Sequence, residues 1–329
     1  MFTPQLTGIT IYPVKSLDGV DVSEISVLDQ GALSNDRRWR LVDDEGQVVN
    51  AKRQSKIQQI RSTYEIFPST DGISHGKRSG GHFISLWVEE NALAGVTERV
   101  VETFPLVPGR DGPCEWLSDV LQMRVFLQEN INGGFPDDCD ASGPTLISSE
   151  TLSEVASWFD LSMSEARRRF RTNLEISLTG EPVSSVDQKF VGPFWEDTLS
   201  QSAIDVHSYS ASEHIPEVPV ELVDAGRLVV IGKVAFRVRS VCRRCVVPTR
   251  DSYTGVKDSA FRDIFEARRG QMLPSGISTQ NWSSYFRLGV NLVPERGYPE
   301  HGYAERGYAG RGYAEGERLI RTFQNVCIV

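Results

Sequence analysis

Residues 227–231 and 234–240 are two apolar-rich runs with only Gly232-Lys233 between them. A two-residue connection that contains glycine marks a tight antiparallel hairpin. This stretch therefore has few alternatives to β structure. Val234, Phe236 and Val238 alternate with Arg237 and Arg239, so one face of the second strand is apolar and the other is charged. Cys242 and Cys245 follow at once, at the strand end or in the next loop. Arg243 and Arg244 lie between the thiols, and neighbouring cations favour the thiolate, which is the form that binds soft metals. The spacing alone leaves a pair of core cysteines and a metal or redox site both open. A thioredoxin-like pair would need a βαβ context, which is missing. A four-cysteine zinc site would need a second C-x-x-C, and an iron–sulfur domain would need clustered cysteines.

The rest of the pattern is a mixed, β-rich α+β fold. Residues 6–12 alternate as a strand closed by Pro13, and 39–43 and 48–51 flank Asp44-Glu45-Gly46 as a hairpin. Residues 83–88 read as a further strand, and 69–81, rich in Ser, Gly and charge, as an exposed loop. The first third is therefore expected to be a small β-rich lobe. Trp116, Leu117, Val120 and Leu121 fall at helical spacing. Ser148 or Ser149 caps a helix with Leu152, Val155, Ala156 and Phe159 on one stripe. Ser162 with Glu165 forms a capping box that opens a helix through Arg169. Residues 174–178 return to strand. Phe261, Ile264, Phe265 and Arg268 mark another helix, and 318–329 a last strand.

Composition narrows the function. The 329 residues carry a formal net charge of −9. An acidic chain lacks the basic face of a nucleic-acid binder. No run of about 18 apolar residues offers a membrane span, and the first residues lack the basic start and apolar centre of a signal peptide. Five cysteines, odd and scattered, suit a reducing compartment. The expected location is the cytoplasm, with mitochondrial association left open. Residues 296–315 hold four five-residue copies, from Arg296-Gly297-Tyr298-Pro299-Glu300 to Arg311-Gly312-Tyr313-Ala314-Glu315. Glycine in every copy opposes a helix, so this reads as a low-complexity insertion before the last strand.

Against the acidic background, basic and polar clusters stand out. Lys15 and Ser16 follow the first strand at Tyr12-Pro13-Val14, where a lysine beside backbone amides can bind phosphate. Asp36-Arg37-Arg38-Trp39 and Arg53-Gln54 flank the first hairpin, and arginine forks suit phosphate and pterin carbonyls. Phe170-Arg171-Thr172-Asn173 lies at a helix-to-strand junction. Ser148 and Thr151 sit at a helix start that can bind an anion. Each of these has an ordinary alternative as surface charge, capping or turn formation.

In this order the set resembles the MOSC family, the group of the molybdenum cofactor sulfurase C-terminal domain. It resembles the mitochondrial amidoxime-reducing component and its bacterial relatives. The resemblance spans Leu6 to about Leu292 and ends on Cys242-Arg243-Arg244-Cys245 with Thr249, Asp251, Thr254 and Gly255. It implies an N-terminal MOSC β-barrel-like domain over 1–130 and a MOSC β-barrel domain with peripheral helices over 131–329, the repeats at 296–315 being an insertion foreign to the family. It also implies a molybdenum–molybdopterin cofactor with Cys245 as metal ligand and catalytic residue. The implied cofactor-binding residues are Lys15, Ser16, Arg37, Arg53, Ser148, Thr151, Arg171, Asn173 and Thr249. The implied activity is reduction of small N-hydroxylated substrates, with electrons from an external haem protein or flavin reductase. Thr172 stands where many members have proline. The pyridoxal-phosphate desulfurase half of the sulfurases is not seen, which weighs against complete sulfurase activity. Two other readings stay open: a carrier of the cofactor or of sulfur without turnover, and an interaction protein acting through its tyrosine-rich repeats.

Overall fold

The computed structural model describes residues 3–66, 81–88, 100–138, 141–179, 192–200, 227–280, 282–295 and 318–328. The repeats at 296–315, the loop expected at 69–81 except for Gly81, and Cys139 lie outside these residues. In chain order the strands of the first half are β1 (Thr3–Ile11), β2 (Val20–Asp21), β3 (Glu24–Ser26), β4 (Trp39–Val42), β5 (Val48–Val49), β6 (Ile60–Glu65), β7 (Phe83–Val88) and β8 (Glu102–Pro105). Helix α1 (Cys114–Leu121), β9 (Phe126–Glu129), β10 (Thr145–Ser148), α2 (Ser149–Ser157), α3 (Met163–Phe170) and β11 (Leu174–Thr179) follow. The chain continues with β12 (Leu228–Ile231), β13 (Val234–Arg243), α4 (Phe261–Gln271), β14 (Arg287–Pro294), β15 (Leu319–Arg321) and β16 (Val326–Ile328).

The strands make an eight-stranded sheet in the order β16-β12-β13-β14-β10-β11-β1-β2. Smaller sheets β5-β4-β9, β6-β7-β8 and β15-β3 complete the β structure, with helices at the periphery. The Gly232-Lys233 hairpin forms in the register its sequence demands, with Ile231 opposite Val234. β1 comes from the first third of the chain, yet it pairs antiparallel with β11 and shifts register between Leu6 and Gly8. Its inward Leu6, Ile9 and Ile11 join Leu146, Leu174, Phe236, Val238 and Leu292 in one core. A second core gathers Val14, Leu17, Trp39, Leu41, Ile57, Ile60, Leu86, Leu117 and Leu127 between the smaller sheets and α1.

A third core joins α2, α3 and α4 through Leu152, Val155, Phe170, Phe194, Phe261, Phe265 and Phe286. Each fully buried phenylalanine stabilises it by about 1.5–3 kcal/mol. Ile264 and Arg268, expected with Phe261 and Phe265, turn outward; the buried basic residue of α4 is Arg269. Phe159 lies just past α2 and stacks on Phe261 at 3.8 Å.

Three boundaries differ from the sequence reading. β13 runs to Arg243 through two register shifts, so Cys242 is a strand residue and only Cys245 lies beyond. The last strand is split. Phe323 adopts φ 63° and donates its N–H to Leu6 O, which sends β15 to β3 and β16 to β12. At α3, Ser162 Oγ accepts from Glu165 N as a cap should, but the Glu165 carboxylate turns away to Arg169 and Ser252. Among the described residues no helix is long and apolar enough to cross a membrane.

Candidate functional site

A cavity of about 350 Å³ opens where the turn after β1, the end of α3 and the end of β13 converge. Its size is in the range of small-molecule and cofactor sites. Nine lysine or arginine side chains line it against four aspartates, in a chain whose net charge is −9. Lys15, Ser16, Arg37, Arg171, Asn173, Cys242 and Cys245 are all on its wall.

The first cluster is built by the turn after β1. Pro13 O and Lys15 N bond to the backbone of Trp39, and Tyr12 N donates to Asp36 Oδ1, so this turn and the 36–39 segment are locked together. Ser16 and Arg37 both take positive φ, at 75° and 49°. Lys15 Nζ lies 2.7 Å from Asp137 Oδ1 and donates to the carbonyls of Phe135 and Pro136. Arg37 pairs with Asp36 and, through Nε, lies 3.5 Å from Asp137. Burial pushes the Asp137 carboxyl up, but Arg37 and Lys15 outweigh it and hold the group well below the usual carboxylate range. Burial lowers the Lys15 ammonium, with Asp137 opposing that effect.

Arg171 ends α3 in the left-handed conformation, donates to Leu17 O and places its guanidinium 4.0 Å from the Tyr12 ring centroid. Arg37 approaches the same ring at 5.4 Å. Burial raises the Tyr12 phenol to about 12 even though both guanidinia pull it down, so it remains a neutral donor, here to Thr172 O. Asn173 is 2% exposed; its amide bonds Thr10 O and the Thr145 N–H, tying β1, β10 and β11 together at the cavity wall.

The thiols differ. Burial raises the Cys242 thiol above the ordinary range, and Arg244 and Arg37 only partly offset it. Cys245 is half-buried on the wall, between β13 and the 3-10 turn Val247–Thr249. Arg244 is a clamp: it donates to Leu288 O and Phe170 O and so pins the thiol loop to β14 and α3. Behind it, Asp251 Oδ1 accepts from Tyr253 N, Thr254 N and Thr254 Oγ1. Gly255 closes this turn at φ +73°, where a Cβ would meet Ser55 O at 2.5 Å. The Thr-Asp-Thr-Gly part of the motif is thus a rigid loop wedged against the first half of the chain. Among the described residues no three His, Cys, Asp or Glu side chains are grouped to hold a metal ion.

Four of the sequence candidates are not on the cavity wall. Arg53 has a side chain 54% exposed, facing Asp43 and Val48 O. Thr249 is buried and donates to Val246 O within its own turn. Ser148 Oγ and Thr151 Oγ1 each lie 2.9 Å from Oε2 of buried Glu196, so a carboxylate of the chain already holds that helix start. Burial drives the Glu196 carboxyl above its ordinary value, against the bonds from Thr151 and Ser148. A raised folded pKa gives stability that is complete below the unfolded value of 4.5 and is lost as pH rises through the folded value. Glu196→Gln is therefore expected to be more stable than wild type at pH 8 by about 1–2 kcal/mol, with the gap closing toward pH 4. Urea midpoints at the two pH values measure this; a variant no more stable at pH 8 contradicts it.

Sequence reasoning missed Asp137, Arg61 and Ser252 on this wall, and saw Arg168 only as part of the basic cluster Arg167-Arg168-Arg169 with no site role. The signal for Asp137 was present in Gly133-Gly134-Phe135-Pro136-Asp137. Gly134, at φ +68°, passes so close to Asp36 O that a Cβ would lie 2.5 Å away, and Phe135 N bonds Arg37 O. Residues 3–124 match the MOSC N-terminal beta barrel domain. No curated protein matches the chain.

Proposed function

We propose, from the match of residues 3–124 to the MOSC N-terminal beta barrel domain, that this chain is a MOSC-family protein, a family associated with the molybdenum cofactor that includes enzymes, and that its cavity holds that cofactor and reduces N-hydroxylated substrates. The carrying observation is Asp137. A carboxylate that is half exposed to water is drawn onto Lys15 and Arg37, and so stands in for an anion at the place where a cofactor phosphate would lie. The donor set agrees: cations for a phosphate, the Asn173 and Arg171 side chains beside it, and a half-buried thiol on the same wall.

In this reading Lys15, Ser16, Arg37, Arg171 and Asn173 hold the phosphate and pterin, and Cys245 is the protein ligand to the metal. When bound, the group supplies oxygen-atom transfer and two-electron redox chemistry. The N–O bond of the substrate breaks and its oxygen leaves as water; two electrons from a separate haem or flavin protein and two protons balance the step. The residues of the chain orient and charge the site. Arg37 is fixed by Asp36, Arg171 by Leu17 O, and the thiol loop by Arg244, so none of them needs to reorganise during turnover.

The test is cofactor content. Chain purified from cells that make the cofactor is expected to carry molybdenum and pterin in near-equal amounts with protein. Protein free of both would overturn the reading. Bound cofactor with no reduction of any hydroxylamine, given a competent electron donor, would leave a carrier.

A further inference from the structure

The last turn of α3 presents three successive arginines, and two have carboxylate partners. Arg167 makes a two-pronged bond to Glu175, and Arg169 pairs with Glu165 and Asp251. Arg168 lies between them on the cavity wall and pairs with no carboxylate among the described residues. Its Nη1 is buried without a hydrogen-bond partner. Instead, its guanidinium lies 4.2 Å from the ring centroid of Tyr253, and that of Arg61 approaches the same ring at 5.2 Å.

We propose that Arg168, which lies over the Tyr253 ring, is an oxyanion subsite of the cavity, separate from the Lys15–Arg37 pair, that takes the carboxylate or phosphate of an acidic substrate. A guanidinium that lies over an aromatic ring makes a cation–π contact there and still has N–H groups to offer an oxyanion. The platform's backbone is anchored. Tyr253 sits in the Asp251 turn, wedged at Gly255 against Ser55 O, and Ser252 is bonded to Glu165 of α3. The Lys15–Arg37 pair faces Asp137 here and would face the cofactor phosphate in the function proposed above, whereas Arg168 pairs with no carboxylate among the described residues, so a second anionic group is complementary here. The substrate class rests on the function proposed above; the oxyanion subsite does not.

The experiment titrates benzoate, then inorganic phosphate, into wild type, Arg168→Gln and Tyr253→Leu by calorimetry, with molybdenum and pterin measured in each. Arg168→Gln is expected to weaken binding of at least one probe about 10-fold, because a charge-assisted bond is lost. Tyr253→Leu, which leaves the cation but removes its platform, is expected to weaken it about 3-fold. Cofactor content should match wild type in both. A preference for benzoate points to a carboxylate substrate, and one for phosphate to a phosphorylated one. Binding unchanged in both variants overturns the subsite, and so does loss of cofactor content in Arg168→Gln, which would make Arg168 part of the cofactor site. Wild type that binds a probe through Arg168 but carries no cofactor would sink the function proposed above and leave the subsite standing.

Discussion

On the proposed function, Cys245→Ser, produced in cells that make the cofactor, is expected to lose molybdenum while keeping most of the pterin, and to lose turnover by about 100-fold or more. Removing even an outer partner of a metal ligand costs about 10–100-fold, and this change removes the proposed ligand itself. Serine replaces one atom, so the loop keeps its shape, but a hydroxyl is a hard donor that stays protonated. The pterin is expected to remain because Lys15, Arg37 and Arg171, its proposed holders, are untouched. Cys242→Ser is the control. Burial within β13 holds the Cys242 thiol protonated, which makes it a poor ligand, so the metal content of that variant should match wild type. Metal analysis of both decides the matter. Metal kept by Cys245→Ser and lost by Cys242→Ser would reverse the assignment.

Asp197→Ala is expected to destabilise the protein by about 3–5 kcal/mol, the range for an ion left alone in a protein interior. Asp197 and Arg269 are both 0% exposed, and their side chains pair between the 3-10 turn Trp195–Ser200 and α4. The Arg269 guanidinium packs 4.0 Å from the Phe194 ring centroid, and burial pulls its pKa down to about 10. Arginine stays charged there at neutral pH, so removing its carboxylate strands a cation in an aromatic core. The double variant Asp197→Leu/Arg269→Met removes both charges and is expected to recover most of the loss. Denaturant midpoints test this. A single variant within 1 kcal/mol of wild type would mean that water or another group already serves the guanidinium.

Local rules carried the sequence reading where the signal is local. Alternation and the Gly232-Lys233 turn located the hairpin, and Ser148 and Ser162 do cap α2 and α3. The order of short motifs also brought Lys15, Arg37, Arg171, Asn173 and Cys245 onto one wall, although 230 positions separate the first from the last. Long-range electrostatics was not legible. Nothing beside Ser148 and Thr151 in sequence announces that Glu196 would reach them, so their hydroxyls looked free for a phosphate. Arg53 resembled Arg37 as a basic residue flanking a hairpin, and only packing shows that one faces outward. The split at Phe323 escaped because a left-handed turn at phenylalanine carries no glycine to mark it.

The place of β1 sets the order in which this protein can be made. Leu6 N bonds Gln324 O, and β1 as a whole pairs with β11, about 170 positions downstream. Apart from its short pairing with β2, β1 therefore leaves the ribosome well before the segments it pairs with. The smaller β4–β9 unit, whose partners lie within residues 39–129, can close early. The large sheet must wait for almost the whole chain, with the apolar face of β1 exposed in the meantime. Such non-local pairing slows folding and lengthens exposure to aggregation, so slow translation or a holding chaperone should matter more to this chain than to one whose strands all pair with neighbours in sequence.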